Sequence, residues 1–266
     1  MFEIYILPVL LFAAMGALAG ILLTVVSKVF AVKTDERMES VSEALPQINC
    51  GACGYSGCND YAAAVLNGAP TNLCKPGGNA ASKKISEIMG VESGSVEREV
   101  AFVRCGGDCN VTEHKYIYDG TQSCAASNRY YSGSKVCTSG CLGFGDCVRI
   151  CPNGAIDIVD GISVINSALC IACGMCVKTC PNHLIVMKPA SQKIDVVCMS
   201  TAIGKVTKSI CKTGCIGCKI CEKKCPEGAI KVENNFATID YSKCTQCGIC
   251  AASCPTKAIS ISCKNG

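Results

Sequence analysis

Seven cysteines, Cys141, Cys147, Cys151, Cys170, Cys173, Cys176 and Cys180, recur without a gap 74 residues later as Cys215, Cys221, Cys225, Cys244, Cys247, Cys250 and Cys254. So many matches in register mark a duplication, so the second half of the chain must fold as two copies of one small unit. Pro152, Pro181, Pro226 and Pro255 each follow the last cysteine of a run. Within the units, "AIDIVDGISVI" and "AIKVENNFATI" alternate apolar residues around Asp160-Gly161 and Asn234-Asn235, the pattern of a short hairpin. "HLIVM" and "AISIS" follow the second runs and read as further strands. Each unit is therefore predicted to be a small α+β module.

The chain has 26 cysteines in 266 residues, with two histidines and no tryptophan, so sulfur must organise much of its interior. Cysteine at this density means a disulfide scaffold, zinc sites or iron–sulfur clusters. "CIGCKICEKKCP" and "CTQCGICAASCP" are two C-x2-C-x2-C-x3-C-P runs, the spacing of paired [4Fe-4S] clusters in which the fourth cysteine of each run crosses to the other cluster. Crossing predicts one cluster on Cys215, Cys218, Cys221 and Cys254, and another on Cys244, Cys247, Cys250 and Cys225. Zinc favours separated pairs around long spacers and leaves the doubled run unexplained.

In the first unit, "CIACGMCVKTCP" is regular and predicts a cluster on Cys170, Cys173, Cys176 and the crossing Cys151. Its companion run, "CTSGCLGFGDCVRICP", carries Phe144 where the middle cysteine should stand. Cys141, Cys147 and the crossing Cys180 then lack one ligand. The nearest candidate is Cys137, in a C-x3-C-x5-C loop that Gly140, Gly143 and Gly145 allow to bend; a three-iron or absent cluster is the alternative. Nearer the N-terminus, "CGACGYSGC" and Cys74 place Cys50, Cys53, Cys58 and Cys74 within 25 residues, interleaved by glycines and feeding a helix that stops at Gly68. A second helix is expected from Ala80 to Met89. This is a fifth predicted cluster site.

Ile4 to Val26 is an uncharged run of 23 residues, long enough to cross about 30 Å of hydrocarbon as a helix. Only Glu3 is charged before it, whereas Lys28, Lys33 and Arg37 follow, so the positive-inside rule places the remainder on the cytoplasmic side of the inner (cytoplasmic) membrane as a single-pass protein. Structural disulfides are rare there. Gly16 and Gly20 form a small-xxx-small pair suited to a neighbouring helix. The formal charge of +4 gives weak support to nucleic-acid binding, and five anionic clusters would reverse its sign.

The membrane helix, the "CGACGYSGCNDYA" loop with Cys74, and "GCLGFGDC" opening a ferredoxin module together resemble the B subunit of the Rnf complex, the ion-translocating ferredoxin:NAD+ oxidoreductase, in its longer form with two ferredoxin modules. The resemblance covers nearly the whole chain. It implies an α+β architecture: a transmembrane anchor over 1–32, a small helical [4Fe-4S] domain over 33–93, a connecting segment over 94–135, and ferredoxin-like modules over 136–190 and 191–266. It also supports Cys137 as the substitute ligand. It implies a membrane-anchored relay with five [4Fe-4S] clusters, taking electrons from soluble ferredoxin and passing them to membrane and peripheral subunits that reduce NAD+ while Na+ or H+ crosses the membrane. The same cysteine chemistry would serve the electron-transfer subunit of a membrane hydrogenase, a formate dehydrogenase or a regulator-reducing system; a zinc-structural or metal-storage protein fits the ordered runs poorly.

No strand followed by G-x-G-x-x-G and a helix is present, so no NAD site is expected in this chain. His114 and His183 lie outside the cysteine loops and no acid–base or nucleophilic constellation appears. Lys219, Lys223, Lys224 and Lys231 form a basic cluster to which an acidic ferredoxin would be steered. Six cysteines are left over: Cys105, Cys109, Cys124, Cys198, Cys211 and Cys263. Cys124 and Cys137 match Cys198 and Cys211 at the same 74-residue offset. A packing role is expected for these, since free cysteine behaves as a small buried hydrophobe, with a further metal site on Cys105, Cys109 and Cys124 as the alternative.

Overall fold

A computed structural model describes residues 2–29 and 35–261; Cys263 lies outside the described residues. The uncharged N-terminal run forms α1 (Phe2–Val29). Residues Val9–Lys28 within it are apolar enough to span a bilayer, and side chains such as Leu7, Leu18 and Leu23 are exposed because nothing in the described chain covers them.

Three helices follow, α2 (Glu36–Glu43), α3 (Cys58–Leu66) and α4 (Gly78–Met89). Asp35 caps α2 by accepting from the Arg37 N–H, and Gly90 ends α4 in the left-handed conformation, φ 67°. The helices pack through Val41, Leu45, Tyr61, Ala62, Val65 and Ile85, with the Cys74 thiol in the same core. Tyr61 fixes the path of the Cys74 loop: its hydroxyl donates to Pro70 O at 2.8 Å and accepts from the Leu73 N–H at 3.2 Å.

The first module contains α6 (Asp146–Arg149), β2 (Ile156–Val159), β3 (Ile162–Ile165), α7 (Met175–Thr179) and β4 (Ile185–Pro189); the second contains α9 (Ile220–Lys224), β6 (Ile230–Glu233), β7 (Phe236–Ile239), α10 (Ile249–Ser253) and β8 (Ile259–Ile261). Both expected hairpins form, Ile156 opposite Ile165 and Ile230 opposite Ile239. Their tips are turns with positive φ at both central residues, 48° and 75° at Asp160-Gly161, and 50° and 68° at Asn234-Asn235, the type I′ geometry that Asp, Asn and Gly tolerate best. Gly143 runs so close beneath the first tip that a Cβ there would lie 2.6 Å from Gly161 O.

The last strand of each module pairs outside its hairpin. Strand β1 (Glu99–Val103), from the connecting segment, runs antiparallel to β4, and β5 (Ile194–Val196) runs antiparallel to β8. The two sheets are equivalent: the Arg104 N–H donates to Leu184 O at 2.8 Å and the Val197 N–H to Ala258 O at 2.9 Å. The connecting segment, which also carries the short α5 (Cys124–Asn128), stitches the modules together. Gly106 N–H donates to Val197 O at 2.8 Å, Thr112 Oγ1 to Ile210 O at 2.9 Å, and Thr213 Oγ1 to Gly106 O at 3.0 Å. Helix α8 (Gly204–Ile210) completes this junction.

Between β4 and β5, Lys188 and Asp195 form an ion pair whose side chains are 6% and 0% exposed. Tyr241 Oη donates to the other carboxylate oxygen at 2.8 Å, and Lys188 Nζ also reaches Gln192 O at 2.9 Å and lies 4.9 Å from the Phe102 ring centre. Removing one partner of a buried pair leaves the other charge uncompensated, at a cost of about 3–5 kcal/mol. Asp195→Ala should therefore unfold at a clearly lower denaturant midpoint, and adding Lys188→Met should recover much of the loss; an unchanged midpoint in the single variant would contradict the pair's role.

Candidate iron–sulfur centres

The loop before α3 turns back on itself at Gly51 and Gly54, with φ of 70° and 90°, and Asn49 Oδ1 accepts from the Cys58 N–H at 2.8 Å. These turns gather Cys50, Cys53 and Cys58 against Cys74. Burial foremost, opposed by a hydrogen bond from Gly77 and aided by the charges of Cys58, Cys53 and Cys50, pushes the Cys74 thiol up.

In the first module the structure brings Cys151, Cys170, Cys173 and Cys176 together. Burial, then Cys173, Cys170, Cys147 and Cys151, push the Cys176 thiol up to about 12. Backbone N–H groups point at the sulfurs: Ala155 at Cys151 Sγ, 3.3 Å, and Ala101 at Cys170 Sγ, 3.4 Å. Such donors favour thiolate over thiol and tune whatever the sulfur binds. In the second module, Cys215, Cys218, Cys221 and Cys254 line one pocket, and Cys244 and Cys247 lie near Cys250. Cys225 repeats the setting of Cys151, accepting from the Ala229 N–H at 3.3 Å.

The remaining group differs from the expectation of Cys137 as its fourth member. Cys141, Cys147 and Cys180 share a pocket with Cys124, not with Cys137. Burial, against a hydrogen bond from Ser163 and with the charges of Cys141, Cys124 and Cys180, pushes the Cys147 thiol up to about 11. The reason lies in the connecting segment. Asp146 clamps the start of α5, its Oδ2 accepting from Ser123 Oγ at 2.9 Å and from the Ala125 N–H at 3.0 Å. Burial would raise this carboxyl, but the N–H groups of Ala125 and Cys124 and the Ser123 hydroxyl outweigh it and hold it below the usual range. Phe144, standing where the regular cysteine would be, packs edge-on against Tyr118 with centroids 5.4 Å apart, fastening the same segment over the site. Cys137 turns away: the Gly140 N–H closes a turn onto its carbonyl at 3.3 Å, and its thiol lines a different cavity with Cys211. Gly143 and Gly145 do bend as expected, with φ of 80° and 75°, whereas Gly140 is not among the positive-φ glycines. The signal in the sequence was only that Cys124, 17 residues before Cys141, was left over in a module one cysteine short of the regular pattern.

The donor sets fit iron–sulfur clusters. Each group is all sulfur, the soft ligand type that suits them. His114 Nδ1 lies 3.1 Å from Ser134 Oγ, and the His183 side chain is exposed.

Comparison with known proteins agrees. A family model described as "Putative Fe-S cluster" matches residues 45–76, and models described as "4Fe-4S dicluster domain" match 130–181, 169–230 and 214–260. The overlapping match from 169 to 230 joins the second run of one module to the first run of the next, since the runs are alike. The B subunit of the proton-translocating ferredoxin:NAD(+) oxidoreductase complex of Clostridium ljungdahlii is 44% identical over 232 residues, 86% of this chain and 82% of that protein. The B subunit of the ion-translocating oxidoreductase complex of Methanosarcina acetivorans is 41% identical over 92% of this chain and 93% of its own length. The B subunit of the Na(+)-translocating ferredoxin:NAD(+) oxidoreductase complex of Acetobacterium woodii is 40% identical over 92% of this chain and 74% of its own length. The chain belongs to the family of Rnf complex B subunits. It is thus an iron–sulfur electron-transfer component of a multi-subunit oxidoreductase complex, and α1 fits the membrane anchoring of such a component.

Replacing Cys124 with alanine should lower the iron content by about one to four atoms per chain, depending on whether a three-iron remnant survives. Adding Phe144→Cys should restore it. Full iron in the single variant would show that Cys124 is not part of the centre.

Proposed function

We propose that this chain accepts electrons from reduced ferredoxin and delivers them to Rnf partner subunits that reduce NAD+ while Na+ or H+ crosses the membrane. Five [4Fe-4S] clusters would be held by Cys50, Cys53, Cys58 and Cys74; by Cys124, Cys141, Cys147 and Cys180; by Cys151, Cys170, Cys173 and Cys176; by Cys215, Cys218, Cys221 and Cys254; and by Cys225, Cys244, Cys247 and Cys250. When bound, such clusters supply one-electron chemistry with little movement of atoms. The positive charges after α1 support a cytoplasmic position for all of them.

The observation that carries this reading is the unequal exposure of the two modules. In the second module Cys218 and Cys247 are exposed; their counterparts in the first, Phe144 and Cys173, are half-buried and buried. Cys173 is covered because the loop bearing Cys50 sits on it. Burial chiefly, and among the charges Cys50, push the Cys173 thiol up, and Lys178 Nζ donates to Cys50 O at 3.0 Å. The ion pair Lys75–Glu99, 2.9 Å, fastens the same domain to β1. The second module thus offers an open end to a soluble donor, and the first is joined to the domain next to the membrane helix.

Around the open end, Lys219, Lys223, Lys224 and Lys231 are all exposed, and Ile220 and Ile249 add partly exposed apolar surface beside Cys218 and Cys247. An acidic ferredoxin would be drawn to such a patch and its attraction screened by salt. Reversing three or four of these charges should slow reduction of the purified complex by ferredoxin at low ionic strength and flatten its salt dependence, while leaving reduction by a small uncharged donor unchanged. Unaltered ferredoxin kinetics would remove this docking face.

A further inference from the structure

We propose that Cys105, Cys137, Cys198 and Cys211 hold a sixth iron–sulfur cluster at the junction of the two ferredoxin modules. All four line one cavity, as Cys124, Cys141, Cys147 and Cys180 line another. A Cβ on Gly107 would lie 3.5 Å from Cys211 Sγ and 3.6 Å from Cys105 Sγ, so these two sulfurs face the same glycine. Cys137 lies close enough to Cys211, and Cys198 to Cys137, for each to sense the other's charge. None of the four is in a disulfide.

The second module contributes Cys198 and Cys211; the first contributes Cys137 and the connecting segment Cys105, from equivalent places. Cys137 and Cys211 are 74 residues apart and obey the sequence repeat. By offset alone Cys198 answers to Cys124, but in the fold its counterpart is Cys105. Each follows the strand that pairs with the module's last strand, and each sulfur accepts a backbone N–H from the first regular cysteine of its module, Cys141 for Cys105 at 3.3 Å and Cys215 for Cys198. Ser200 adds a second N–H to Cys198 at 3.5 Å. A cysteine that only fills space needs no such donors.

The charges around the cavity favour an anionic occupant. Lys135 is 2% exposed, and its ammonium donates to two carbonyls, Gly107 O at 3.2 Å and Gly161 O at 2.9 Å; among the described residues it forms no ion pair with a carboxylate. Its charge acts on Cys105 and Cys137. Arg104 lines the same cavity, held by Ala237 O at 3.2 Å and by the Phe236 ring, 5.1 Å away. Burying such cations among apolar atoms is costly without a counter-charge, and four thiolates with iron and sulfide supply one.

The proposal rests on the relay reading and gives it continuity. Cys105 adjoins the Cys141 group and Cys198 adjoins the Cys215 group, so the junction site lies between the open module and the one joined to the membrane-proximal domain. Cys109, by contrast, is exposed and takes no part.

Iron, acid-labile sulfide and zinc per chain should be counted on the full-length protein, purified anaerobically in detergent and examined by native mass spectrometry. Six clusters require about 24 iron atoms. Cys211→Ala and Cys105→Ala should each lose about four or, with a three-iron remnant, about one, together with one paramagnetic signal of the reduced protein, while Cys109→Ala loses none. About 20 iron atoms in the parent protein, or one zinc atom that disappears in both variants, would overturn the sixth cluster and leave the relay standing. A parent protein with little iron of any kind would instead overturn the relay reading itself.

Discussion

Sulfur bound to metal is the interaction on which both modules depend. Their strands are three to five residues long and pair only two by two, and isolated two-stranded hairpins are marginal in water. The apolar side chains between them are few: Ile156, Ile165, Leu184 and Ile185 in the first core, and Ile194, Val232, Ile239 and Ile259 in the second, each interleaved with buried cysteines. Thiols pushed up by burial, as at Cys147 and Cys176, become ligands only by giving up their protons to a metal, so metal binding and folding share one free energy.

Duplication gave two modules of the same plan, and the connecting segment made them different. Strand β1 extends the first module, α5 supplies Cys124, and Tyr118 holds Phe144 in the place of a regular ligand. The first module is thereby enclosed, with the Cys50 loop seated on its other cluster site. The second keeps the plain ferredoxin pattern and the exposed cysteines that go with it. One end of the molecule thus leaves cysteines open to solvent, and the other packs them under neighbouring segments.

Features set by neighbouring residues were legible in the sequence. The hairpin tips at Asp160-Gly161 and Asn234-Asn235, the stop of α4 at Gly90 and the regular cysteine runs all follow from local backbone chemistry. What escaped depends on contacts between distant segments. Cys124 reaches its group because Asp146 clamps α5, a contact no spacing rule contains. The pairing of Cys105 with Cys198 was hidden because their separation departs from the 74-residue period that the other cysteines keep, and only the shared strand register reveals it. Offset in sequence proved a poor guide wherever an insertion had replaced part of a repeat.

The central claim, that metal-bound sulfur rather than a hydrocarbon core holds the modules together, is tested most directly by hydrogen exchange on the full-length protein before and after anaerobic removal of iron. The account predicts that backbone protection in β1–β4, in the two hairpins and in β5–β8 is lost with the iron, while α1 stays protected in detergent. Protection retained throughout the iron-free modules would contradict it.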